Sequence, residues 1–137
     1  MTTGQQIFDM AMVLIDEQDP RTGATDRSEN SEFRVRSAGI LNLLMQEVCP
    51  LDAEWTRARE RGASPRIVTG LENPLDMSDR VSRGLLPYGL AGLLVLEENP
   101  ACAQCFLSKY ASLKEEFRRG AGACIERVVD RYGGIRV

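Results

Sequence analysis

The sequence predicts an all-α fold: a single-domain bundle of about four to five helices around a central apolar helix at residues 85–98, with long polar loops. The first observation is the run LLPYGLAGLLVLEEN, Leu85 to Asn99, which is the most apolar in the chain and has leucines on every side of a helix. The second is that apolar residues elsewhere recur every three or four positions. The third is the length of 137 residues, 43% of them hydrophobic, which suits one domain with a buried core.

The first helix is predicted over residues 3–18. Its apolar residues form one stripe, namely Ile7, Met10, Ala11, Leu14 and Ile15. Thr2 or Thr3 is expected to cap its start, with a glutamine near the third helical position. Residues 19–30 are rich in turn formers and lack apolar periodicity, so we expect a loop, and its length favours contact with a partner.

The second helix is predicted over residues 32–48, with Ser31 as its cap. Pro50 should end it, because the residue before a proline avoids the helical region. The inward face of this helix is expected to carry Phe33, Ile40, Leu41, Leu44, Met45 and Val48.

A polar connection follows the second helix. Residues 51–62 are compatible with a short helix that has Trp55 as its one large anchor. The rest of the connection, to residue 74, is punctuated by glycine and proline, and residues 66–69 are the piece of it that could be extended.

The central apolar segment contains a proline, and two interpretations follow. Asp76 or Ser78 starts the helical region, and Pro87 interrupts it. Either one helix kinks at Pro87, or a short helix at 79–84 is followed by a second one that begins near Leu86. We favour the second interpretation, because Gly84 directly precedes that point.

Two further glycines, Gly89 and Gly92, lie within the central helix, where each costs about 1 kcal/mol relative to alanine. Close approach of a neighbouring helix is the expected reason for them.

The last long helix is predicted to begin at Pro100, with Asn99 as its cap, and to run to about Arg119. Gly120 and Gly122 are expected to end it. Its inward stripe should consist of Cys102, Phe106, Leu113 and Phe117, with Cys105 and Tyr110 beside it. We therefore divide the chain into a helical bundle domain at 1–120 and a C-terminal tail or arm at 121–137, either helical or extended.

The composition excludes much chemistry. The chain has no histidine, which removes His-based acid–base catalysis, Ser-His and Cys-His dyads and His-metal sites. Cys102 and Cys105 form a C-x-x-C, but a zinc site needs two more ligands and only Cys49 and Cys124 remain, so we interpret the pair as small core residues. No glycine pattern forms a phosphate-binding loop. We expect no catalysis, no metal and no cofactor.

Charge and hydropathy limit the classes of partner that the chain can bind. The formal charge of −3 gives the whole chain no attraction for nucleic acid or anionic lipid. Its most basic patch is Arg57, Arg59, Arg61 and Arg66, which is either a solvated surface or a contact with protein or nucleic acid. No apolar run approaches the roughly 20 residues that span a bilayer. The first ten residues lack a signal-peptide pattern, so we expect cytoplasmic synthesis and reduced cysteines.

Several stretches resemble one family. They are L-I-D-E (Leu14 to Glu17), R-x-x-x-I-L-N-L-L (Arg36 to Leu44), L-P-Y-G-L-A-G-L-L-V-L-E-E-N-P (Leu86 to Pro100), F-L-S-K-Y (Phe106 to Tyr110) and D-R-Y-G-G-I (Asp130 to Ile135). Together they are similar to the head-to-tail connector, or adaptor, proteins of tailed bacteriophages and prophages of Gram-positive bacteria.

The resemblance implies a structural virion protein at the head–tail junction, synthesised in the bacterial host. Connectors of this kind are helical bundles that form rings of about twelve subunits under the portal protein and extend the DNA channel. Contacts to portal, neck and tail proteins would come from the 19–30 loop, the 51–74 connection and the tail, where Tyr132 and Ile135 lie. DNA would pass through without specific binding. The competing hypothesis is a small helical DNA-binding or regulatory protein that uses the Arg57–Arg66 patch.

Overall fold

The computed structural model describes residues 1–15 and 31–129. In these two segments the chain forms five α-helices and no strand: α1 (Gly4–Leu14), α2 (Ser31–Val48), α3 (Ala53–Arg57), α4 (Asp79–Leu94) and α5 (Pro100–Val129). A 3-10 turn, Cys49–Leu51, joins α2 to α3. The prediction of an all-α single-domain bundle is confirmed.

Helix α4 is the centre of the bundle, and α1, α2 and α5 all pack against it. Leu85, Leu86 and Leu90 are completely buried, as expected for a helix that is apolar on every side. The predicted range of 85–98 is wrong at both ends. The helix starts at Asp79 and ends at Leu94, and Leu96 in the turn that follows is exposed.

Pro87 does not divide the central segment. Our preferred interpretation, a short helix at 79–84 followed by a second one near Leu86, is wrong, because α4 is continuous through Pro87. The proline removes one hydrogen bond, to the carbonyl of Arg83. Burial of the leucines on either side offsets that loss, and Pro87 is itself buried.

Three glycines of α4 lie where other side chains come close. A Cβ on Gly92 would lie 2.7 Å from Leu107, and one on Gly89 would lie 3.1 Å from both Leu44 and Tyr110. These contacts confirm that Gly89 and Gly92 permit close packing. We expected a helix break at Gly84. Instead Gly84 lies within α4 and the ring of Phe117 packs against it, so that an added Cβ would lie 3.0 Å from the ring.

Side-chain caps begin three of the helices as the sequence predicts. Thr3 caps α1 in a reciprocal capping box with Gln6, Ser78 accepts from the N–H of Val81 at the start of α4, and Asn99 accepts from the N–H of Cys102 directly before α5. Ser31, expected as a cap, is instead the first residue of α2.

Helix α1 is shorter than predicted, and the face that it buries is rotated around the helix axis relative to the predicted stripe. It ends at Leu14, not at residue 18, and residues 16–30, with the predicted loop, lie outside the described residues. Its buried side is formed by Ile7, Phe8, Ala11 and Met12. Met10, which we placed in the inward stripe, is 38% exposed, because the face that carries Phe8 and Met12 is the one in the core.

The other predicted stripes are mostly confirmed. All predicted residues of α2 are buried except Ile40, which is half-buried, and Ser37 joins them. In α5 the predicted stripe of Cys102, Phe106, Leu113 and Phe117 is half-buried against the core. The fully buried residues within 100–120 are Ala103 and Tyr110, while Cys105 is exposed. The core interpretation of Cys105 is therefore wrong. No strand forms over residues 66–69, although they lie within the described part of the chain.

Helix α5 is longer than predicted. The helix continues through Gly120 and Gly122 to Val129, so the expected break is wrong. At about 1.5 Å per residue its 30 residues span about 45 Å. Phe117 lies against Gly84, the sixth residue of α4, so about two turns at the end of α5 extend beyond the start of its main partner helix. Residues 130–137, with Tyr132 and Ile135, lie outside the described residues.

Candidate functional site

The four arginines of the predicted patch lie on α3 and the connection after it, and the structure divides them into two pairs. Arg59 and Arg66 both contact the carboxylate of Asp76, which the sequence analysis named only as one possible start of the central helical region. All four arginines are exposed, but Arg57 and Arg61 have no carboxylate partner among the described residues. Half of the patch is therefore tied to Asp76, and the arginines left unpaired within the described part of the chain are Arg57 and Arg61.

Asp76 is a buried carboxylate that organises the connection. Its Oδ1 accepts a hydrogen bond from the guanidinium of Arg59, and its Oδ2 accepts one of 2.9 Å from the backbone N–H of Arg66. Burial tends to raise the pKa of Asp76, but the Arg66 N–H and the charge of Arg59 outweigh it, so the pKa lies below its ordinary value. The carboxylate is ionised at neutral pH and holds both arginine residues in place.

A second buried carboxylate, Asp52, joins the start of α3 to the start of α4. Its Oδ1 accepts from the N–H of Trp55 at 3.1 Å, and its Oδ2 accepts from the N–H of Ser78 at 2.8 Å. Trp55 is buried, and the guanidinium of Arg59 lies 4.9 Å from the centroid of its ring. The predicted anchor role of Trp55 is confirmed.

An open cleft of about 580 Å³ lies between the end of α2 and α3. Cys49 and Trp55 contribute to its lining, with Arg59, Glu60 and Arg61 beside them. Burial raises the pKa of the Cys49 thiol, and the charge of Asp52 adds to the effect, so the thiol is protonated and a poor nucleophile at neutral pH. The cleft combines apolar and charged groups, a composition suited to contact with another chain.

The cysteine pair, Cys102 and Cys105, lies near the start of α5. Cys102 is half-buried and Cys105 exposed, and both are free thiols. Within residues 1–15 and 31–129 no three His, Cys, Asp or Glu residues are grouped so that they could hold a metal ion. Cys124 lies where side chains are not described.

The sequence analysis missed an apolar surface on the outer side of α2. Glu32, Val35, Gly39 and Leu43 follow one another at spacings of three and four residues, and all are exposed. Val35 is 80% and Leu43 71% exposed. We call these four residues the α2 outer face. The signal was present in the sequence, since Val35 and Leu43 fall outside the core stripe of the same helix.

Ile67 adds a further exposed apolar side chain near α2, with 78% of its surface open. The backbone next to it is held against α2, because the side chain of Asn42 forms two hydrogen bonds with the backbone of Val68. Because Val68 is bonded to Asn42, Ile67 lies close to the part of α2 that carries the exposed Leu43.

A second apolar surface lies between α1 and α4. It is an open groove of about 300 Å³, lined by Met10, Val13, Leu14, Arg83, Pro87 and Tyr88. We call it the α1–α4 groove. Val13 is 53% exposed, and the guanidinium of Arg83 donates from Nε to the hydroxyl of Thr2 at 3.0 Å.

Comparisons with family models, with curated proteins and with solved structures found no match for this chain. Among the helices of the described residues, none combines the length and the apolar character needed to cross a membrane.

Proposed function

We propose that this chain is a structural head-to-tail connector protein of a tailed phage or prophage, which assembles as a ring beneath the portal protein and extends the DNA channel. The proposal starts from the resemblance of the LPYGLAG segment and its neighbours to that family. In this function the chain acts through surfaces that contact other proteins and performs no catalysis.

The observation that carries the proposal is the exposure of large apolar side chains on a bundle whose described residues already enclose a buried core. Val35, Leu43 and Ile67 each expose about three-quarters of their surface, while Leu85, Leu86 and Leu90 are fully buried. Leu43 and Ile67 each adjoin a member of the hydrogen-bonded pair Asn42 and Val68, so they stand on neighbouring pieces of backbone, and exposed apolar side chains that are grouped in this way mark surfaces that other proteins cover. An assembly subunit needs such surfaces.

The overhang of α5 supports the same function. Its last turns extend beyond the start of α4, and in the sequence they directly precede the Y-G-G-I end that contributes to the resemblance. A projecting helical arm can reach a neighbouring subunit or the portal without disturbing the bundle. The acidic balance of the chain, with a formal charge of −3, suits a channel along which DNA slides.

Duplex DNA binding through the Arg57–Arg66 patch is the competing function. Asp76 weakens that hypothesis, because its carboxylate partly compensates the charges of Arg59 and Arg66 and leaves two arginines of the patch without a carboxylate partner among the described residues. Each phosphate contact that a protein makes contributes to a steep dependence of affinity on salt. Two arginines would give a shallow dependence and weak binding.

The test is assembly on the portal. Purified full-length chain is mixed with the portal protein encoded in the same genome, and binding is measured by pull-down and by electron microscopy of the complex. We expect co-purification and ring-shaped density on one face of the portal. Failure both to bind portal and to self-associate at high concentration would overturn the proposal. A gel shift on duplex DNA that weakens steeply with added salt would favour the competing function.

A further inference from the structure

We propose that copies of this chain associate head to tail, with the α2 outer face of one copy docked in the α1–α4 groove of the next. The inference rests on the proposed function, which requires subunits to contact one another, and it names the two surfaces that do so. Val35 enters the groove, and Glu32 of the same copy meets Arg83 on the groove wall.

The two surfaces have opposite shapes. On the α2 outer face, Val35 and Leu43 project on either side of Gly39, whose ideal Cβ position has nothing within 4 Å. They are separated by eight residues, about 12 Å along the helix. The α1–α4 groove is concave, and Val13 and Pro87 form part of its apolar lining. A projecting aliphatic side chain and an apolar groove are complementary in shape and in polarity.

The two surfaces also lie on opposite sides of the bundle. Gly89 of α4 receives Leu44 of α2, so α2 packs on that side of the central helix. Pro87, in the groove, is two residues away, a rotation of about 200° around the helix. The outer face of α2 points away from α4 altogether. A contact between surfaces on opposite sides joins copies head to tail, and repeated contacts of this kind close into a ring when the rotation permits.

The charges at the two surfaces are opposite. Glu32 is exposed in the first turn of α2, three residues before Val35 and therefore on the same side of the helix. Arg83 lines the groove, and its Nε is the atom bonded to Thr2. When Val35 enters the groove, Glu32 lies one helical turn away, within reach of the Arg83 side chain. Pairing of these charges would set the register of the contact.

The proposal is tested by a complementation experiment with one variant for each surface. Val35→Asp places a charge on the α2 outer face, and Val13→Asp places one in the groove. Both positions are exposed, so both variants should fold, which circular dichroism and thermal unfolding verify. Ser112→Asp, at an exposed position of α5 away from both surfaces, is the matched control. Self-association is measured by analytical ultracentrifugation over a range of concentrations.

We expect each surface variant alone to need an about tenfold or higher concentration to associate than the wild type or Ser112→Asp. A mixture of Val35→Asp and Val13→Asp should form dimers that do not grow, since each variant keeps one intact surface. Normal association of Val13→Asp alone, or failure of the mixture to form dimers, would overturn the head-to-tail contact. So would a monomeric wild type whose stability falls on Val13→Asp, because the groove would then be occupied by the chain itself.

Charge reversal tests the register. Glu32→Arg should weaken association by about tenfold, and the double variant Glu32→Arg with Arg83→Glu should restore it. Absence of rescue would overturn the pairing. Portal pull-down with the same variants separates the two proposals: portal binding with wild-type-like association of every variant contradicts only the docking contact, whereas loss of portal binding by the wild type contradicts the proposed function.

Discussion

The side chain of Asn42 hydrogen bonds to both backbone groups of Val68, 26 residues later in the chain. Its Oδ1 accepts from the Val68 N–H at 2.7 Å, and its Nδ2 donates to the Val68 carbonyl at 2.9 Å. The Asn42 amide therefore satisfies the backbone N–H and carbonyl of Val68, as the backbone of a neighbouring β-strand would. This single side chain fastens the connection between α3 and α4 to the outer part of α2, next to the exposed Ile67.

Replacing Asn42 should therefore destabilise the whole bundle. Asn42→Ala leaves the N–H and carbonyl of the buried Val68 without these partners, and we expect a loss of about 1–3 kcal/mol in the free energy of unfolding. Urea unfolding followed by circular dichroism measures it. Gln46→Ala, exposed one turn further along α2, is the control and should change stability by less than about 0.5 kcal/mol. Equal unfolding midpoints for the two variants would contradict the role of Asn42.

Asp76 should make stability depend on pH. Its pKa lies below the ordinary value of 3.8, so the ionised form stabilises the fold above that value, and the contribution is lost as pH falls through the lower pKa of the folded state. Asp76→Asn should cost about 1–3 kcal/mol at pH 7, and the difference from wild type should shrink on acidification below pH 3.8.

The measurement for Asp76 is urea unfolding at a series of pH values. Glu60→Gln, which removes an exposed carboxylate from the same connection, should leave the midpoint at pH 7 nearly unchanged. A difference between Asp76→Asn and wild type that stays constant down to acidic pH would show that charge is not its source.

Two glycines should respond in opposite directions to alanine. Gly39 lies inside α2 with nothing within 4 Å of an added Cβ, so Gly39→Ala should stabilise by about 0.5–1 kcal/mol through helix propensity. An added Cβ on Gly92 lies 2.7 Å from the side chain of Leu107, so that side chain or the helix that carries it must move, and we expect Gly92→Ala to cost about 1–3 kcal/mol. Thermal unfolding of both variants checks the pair. Stabilisation by both Gly39→Ala and Gly92→Ala would mean that Leu107 of α5 moves away from the added Cβ without loss of stability.

Glu47 of α2 joins two side chains of α5, and these should be energetically coupled. It accepts from the hydroxyl of Tyr110 at 2.8 Å and from Nζ of Lys114 at 2.7 Å. Burial raises the pKa of Tyr110, and Glu47 raises it further, so the hydroxyl remains a donor at any ordinary pH. Tyr110→Phe should cost about 1 kcal/mol.

A double-mutant cycle measures that coupling. Tyr110→Phe, Lys114→Gln and the double variant are compared by urea unfolding, and we expect a coupling of about 0.5 kcal/mol or more because both donors share one carboxylate. Strict additivity would indicate that the two hydrogen bonds to Glu47 act independently.

The sequence by itself determined the helical class, the central apolar segment and the caps at which α1, α4 and α5 begin. Caps such as Thr3, Ser78 and Asn99 act on backbone groups two or three residues away, and the apolar repeat of a helix is written in its own residues. It also indicated why Gly89 and Gly92 are present, since a glycine inside a buried helix is costly unless a neighbour comes close.

Only the tertiary structure determined which helix-breaking residues are tolerated within a helix and which apolar surfaces remain exposed to solvent. Pro87 and Gly84 signal a break, but burial of the leucines around them and the ring of Phe117 favour one continuous helix. Asp76 lies 17 residues from Arg59 in the sequence, and no local pattern around either residue predicts that they pair. Local patterns reflect the energy of neighbours along the chain, whereas ion pairs, buried faces and open apolar surfaces depend on elements that only folding brings together.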